Sequence, residues 1–269
     1  MTDVEAFLTE LQGVLGPDYR RTVVGHFEWL TPFAPDKHEP LARQAEHALG
    51  RLANWGLPLR DAQRLPAILF DNTDDQLAYH EYFHQDGEAA PSIIDGGCFR
   101  SWPVGHLAIP VSEWDALDAA FAHELVHALL WDDGVPVWLQ EGIACTVETN
   151  FGNRPDPLID QWQWGQTVNW WRKQPSDAFW DASAFRNPAS SQHAYALAQV
   201  LAGRWLRQPD ALAALRAPGP EAWQQEDAVL MKVLGCDRAQ ALARILEPPR
   251  PQGWLARCFH AIFVGDEQR

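Results

Sequence analysis

Apolar positions along the chain follow two different periods. Val4, Phe7, Leu8, Leu11, Val14 and Leu15 recur every three to four residues and predict an amphipathic helix. Residues 19–30 (YRRTVVGHFEWL) alternate in the manner of a strand. Leu41, Ala45, Ala48, Leu49 and Leu52 return to helical spacing over 38–55. The short apolar run at 66–70, ended by Asp71 and Asn72, fits a buried strand, and 74–84 reads as a helix stopped by Gly87. Two further strands are expected at 91–101 and 105–111.

The pattern changes at Ser112. Ser112 and Asp115 form an S-x-x-D capping box for a helix over about 113–131. Gly134 then offers a left-handed stop, and Pro136 suits the first turn of a second helix reaching about residue 150. Residues 159–172, 189–206, 209–216, 220–234 and 237–246 all read as helices. The expected class is therefore α+β: a strand-rich part over 1–131, then a helical part over 132–269, together one compact catalytic unit.

Composition narrows the function classes. The 269 residues are 46% hydrophobic and 21% charged, a globular balance. A net charge of -15, with no basic run, argues against nucleic acid and anionic membrane surfaces as partners. No apolar run approaches the roughly 20 residues that span a bilayer. The first residues carry acids and no basic group, unlike a signal peptide, so a cytoplasmic protein is expected. Cys98, Cys145, Cys236 and Cys258 form no C-x-x-C pair and read as reduced packing residues.

The candidate chemistry lies at the centre of the chain. Residues 123–127 read His-Glu-Leu-Val-His. On a helix this spacing puts both imidazoles on one face, where they suit one Zn²⁺, and leaves the glutamate offset toward a metal-activated water. The pattern occurs twice, since 80–84 reads His-Glu-Tyr-Phe-His. Context separates the copies. The first is wrapped in Ala, Leu, Val and Phe and predicts a buried helix, where two histidines and a glutamate need a partner such as a metal. The second is flanked by polar residues and reads as a surface helix. Beyond His127, across the Gly134 turn, Glu141 falls on the next helix and supplies the third ligand that a catalytic zinc usually has.

HELVHALLW followed by PVWLQEGIACTVE resembles the gluzincin metallopeptidases, in particular the peptidase MA-like family. The strand near HFEWL, the PAILFD strand, the Gly-Gly segment, the LAIPV strand and SSQHAYALAQVLAGRWL extend that resemblance over about 20–205. It implies a zincin-like fold, with an N-terminal mixed sheet over the active-site helix and an all-helical C-terminal lobe. It also implies a zinc metallopeptidase acting on a peptide or protein, with one Zn²⁺ on His123, His127 and Glu141 and with Glu124 as general base. A zinc-binding scaffold with little turnover is the alternative. Tyr195 and His193 are the candidate oxyanion donors. Cys145 stands where thermolysin-like relatives carry an acid that supports a ligating histidine, with Glu148 as a substitute. The tryptophans at 162–180 read as helical packing, and 105–110 as the sheet edge that would pair with an extended peptide.

Overall fold

The computed structural model describes residues 3–59, 64–83, 96–111, 117–151, 159, 161–206, 211–216 and 219–246. The Ser112–Asp115 capping box, His84, Cys258 and the start of the expected strand at 91–101 lie outside them. The chain divides into two compact units, Met1–Trp131 and Asp132–Arg269.

The first unit is α+β. Its elements are α1 (Asp3–Leu15), β1 (Arg20–Val24), β2 (Phe27–Thr31), α2 (Pro35–Asn54), β3 (Leu65–Phe70), α3 (Thr73–Phe83), β4 (Cys98–Arg100), β5 (His106–Pro110) and α4 (Leu117–Leu130). The strands form one mixed sheet in the order β1-β2-β3-β5-β4. β2, β3 and β5 run parallel, and β1 and β4 flank them antiparallel. The strand expected over 19–30 is thus a hairpin. Gly25 takes φ 58°, and Val24 faces Phe27 across the turn. A glycine between two strand-like runs is the signal that alternation alone hides.

Strand alternation sorts the side chains onto two faces. Leu30, Ile68, Phe70 and Ala108 pack with Phe7, Leu8 and Leu11 of α1 and Tyr79 of α3. On the opposite face, Phe27 and Trp29 meet Phe121 of α4 at ring distances of 6.0 and 6.2 Å. α2 lies along α4 on that side. The sheet is therefore covered on both faces, as its parallel centre requires.

The second unit is helical over its described residues. It comprises α5 (Val137–Phe151), α6 (Gln161–Trp171), α7 (Asp177–Trp180), α8 (Ser183–Arg186), α9 (Ser191–Trp205), α10 (Ala211–Arg216), α11 (Glu226–Leu234) and α12 (Arg238–Leu246). Four-residue α7 and α8 are too short to show a period, and the sequence pattern misses both. α5 and α9 pack closely because Gly142 has no side chain: a Cβ there would sit 2.3 Å from the Ala198 carbonyl oxygen. Buried Asp133 accepts from Arg216 Nε at 3.1 Å. Trp138 Nε1 donates to Glu226 at 2.7 Å. Among the described residues, no helix is long and apolar enough to cross a membrane.

Candidate metal centre

α4 carries the first half of the predicted site. Leu117, Phe121, Ala122, Leu125, Val126 and Leu130 bury most of its surface. His123 and His127, one turn apart, remain half-buried, with ring centroids 5.3 Å apart. α5 carries Glu141, also half-buried. Its local placement has a clear cause. Gly134 takes φ 67° and closes the turn after Trp131–Asp133, and the Pro136 carbonyl accepts the Leu139 and Gln140 amides at the start of α5. One ring nitrogen from each histidine and one carboxylate oxygen of Glu141 all lie within 4.8 Å of one another. The three predicted donors are brought together.

Glu124 is buried at 6% exposure, one residue around the helix from His123. It lies against the backbone leading into β4. A Cβ on Gly97 would come 3.0 Å from Glu124 Cγ, 3.1 Å from the Ala108 carbonyl oxygen and 3.3 Å from Glu124 Oε1. Gly97 is thus a contact of the candidate base that sequence reasoning does not name. The Gly96-Gly97 pair was visible, but not its partner, because the contact joins residues far apart in the chain. Burial, then the charge of Glu124, pushes the Cys98 thiol up to about 11. Burial thus favours its neutral thiol form.

The second H-E-x-x-H copy belongs elsewhere. Thr73, Asp74 and Glu81 are exposed, as the polar flanks suggest for a surface helix, but Tyr79 and His80 lie on its buried face. Arg100 Nη2 donates to His80 Nδ1 at 3.1 Å. The Arg100 guanidinium also stacks over Phe83 at 4.7 Å. Tyr79 O–H donates to His106 Nε2 at 2.6 Å, and His106 Nδ1–H donates to the Val104 carbonyl at 2.6 Å. Aromatic packing between α1, α3 and β5 buries this face, which residue types flanking the motif do not reveal.

His193 and Tyr195 sit two positions apart on α9, and so point to different sides. The His193 ring stacks on Trp170 at 4.9 Å, with Nδ1 3.2 Å from Thr167 Oγ1. Tyr195 packs edge-on against Phe185 at 5.1 Å. Cys145 is buried, and Glu148 on the same helix is half-buried. The tryptophan segment is only partly packing: Trp171 is buried, but Trp162 is 72% exposed. β5 is not the sheet edge, since it pairs with β3 on one side and β4 on the other. Among the described residues the sheet edges are β1 and β4, because pairing order is set by long-range register and not by alternation. Comparison with protein-family models, curated proteins and solved structures gives no match.

Proposed function

We propose that this chain is a zinc-dependent metallohydrolase of the gluzincin type, with a zincin-like arrangement, that hydrolyses peptide bonds. The observation that carries the reading is the convergence of His123, His127 and Glu141 within 4.8 Å beside the buried carboxylate of Glu124. The donor set fits the metal: two imidazoles and one carboxylate, as in catalytic zinc sites that leave a position open. When bound, zinc supplies a Lewis acid that polarises a carbonyl and lowers the pKa of water.

The remaining chemistry belongs to the chain. Glu124 takes a proton from the attacking water and returns it to the leaving amine. Gly97 leaves room for the Glu124 side chain and holds it from one side. Tyr195 and His193 lie on different sides of α9, and one of them, Tyr195 before His193, is the proposed oxyanion donor. The outer edge of β4 offers backbone groups to an extended peptide or protein substrate.

Glu124→Gln tests the assignment. The variant keeps its zinc and loses hydrolysis of casein or a peptide library by about 100-fold or more. Unchanged hydrolysis in a zinc-loaded Glu124→Gln protein contradicts the mechanism.

A further inference from the structure

We infer that Phe99 and Trp131 form the specificity subsite of this centre, and that it takes an apolar, preferentially aromatic, side chain of an extended peptide. The inference rests on the peptidase reading and adds the class of substrate. His123, His127 and Trp131 follow one another at intervals of four, so the stripe that presents the imidazoles continues into the indole. α4 is otherwise largely buried, yet Trp131 directly after it is 49% exposed. Its ring lies 5.9 Å from that of Phe99, tilted by 59°.

Phe99 reaches this side by strand alternation. Cys98 packs with Ala108 on the sheet face covered by α1 and α3, so Phe99 projects to the α4 face. Gly105 brings no side chain onto the Phe99 ring; a Cβ there would rest 3.7 Å from Cε2 and Cζ. A peptide paired to the outer edge of β4 alternates its side chains in the same way. The peptide residue opposite Phe99 therefore turns toward α4, the helix of His123, Glu124 and His127, within ordinary cross-strand distance of Phe99. Two aromatic rings there favour an apolar body and disfavour a charge, which would lose its water.

The test is a peptide-library digest by zinc-loaded wild type, Phe99→Ala and Trp131→Ala, each checked for retained zinc and an unchanged melting temperature. Wild type cleaves beside Phe, Tyr, Leu or Met with kcat/KM about tenfold or more above Ser or Asp at that position. Both truncations erase the preference, bringing kcat/KM for the apolar peptides down to within about twofold of that for the Ser and Asp peptides. Trp131→Phe keeps the preference and serves as the variant that preserves packing. In the Glu124→Gln background, calorimetry with a cleaved peptide and its Phe-to-Ala counterpart shows the same difference in affinity, lost on Trp131→Ala. Cleavage by wild type without apolar preference, or a preference intact in both truncations, overturns this inference alone. No zinc, or no cleavage by the zinc-loaded wild type, overturns the peptidase reading and this inference with it.

Discussion

Glu124 and His106 show how much individual residues here depend on their surroundings. Glu124 is a buried carboxylate between two histidines in sequence, and the missing side chain of Gly97 lets it lie against the backbone leading into β4. His106 is fully buried and bonded through both nitrogens as a neutral ring. Burial drives its pKa from 6.5 down to about 4, with Arg100 adding in the same direction and the Val104 carbonyl opposing. Below pH 6.5 the unfolded chain therefore takes up a proton that the folded chain refuses. Stability is full above that value, falls as pH drops, and has lost about 3 kcal/mol from this group once pH reaches about 4. Urea unfolding at pH 7 and pH 4 measures the loss. His106→Gln lacks this group's share of the pH dependence, and an equal dependence in the two proteins would show that the buried ring is not its source.

At the scale of elements, the helix that presents Glu141 depends on Gly142. Replacing glycine by alanine inside a helix ordinarily stabilises by up to about 1 kcal/mol. At 142 the new Cβ meets backbone at 2.3 Å, so α5 must move away from α9. Gly142→Ala is expected to cost about 2–3 kcal/mol in chemical unfolding. A gain in stability would mean that the α5–α9 contact is looser than described. The legibility of the elements follows the same division between local and distant causes. His123, His127 and the Gly134 turn were readable because helical spacing and a left-handed stop are local properties. The Gly25 hairpin, the order of β4 and β5, the burial of His80 and the approach of Gly97 to Glu124 were not. Each depends on a partner far along the chain or on a turn that alternation conceals. Short α7 and α8 escaped because four residues carry no period.

For the whole molecule, the acidic charge of -15 and the proposed metal ligands act on different properties. The charge governs long-range encounters, and the proposed ligands would govern stability and chemistry once a metal is bound. A metal bound only by the folded chain adds RT ln(1 + [metal]/Kd) to stability. Chelator dialysis should therefore lower the melting temperature, and zinc should restore it. Glu124→Gln, which keeps the three donors, should respond in the same way. A melting temperature indifferent to chelator and zinc would separate the cluster from metal binding. The most direct test is metal analysis of protein purified without chelator, alongside His123→Ala and Glu141→Ala. The account predicts about one zinc per wild-type chain and a loss of zinc from both variants, matching three protein ligands around a single ion. Less than about half an equivalent in the wild type, not restored by dialysis against zinc, would contradict it.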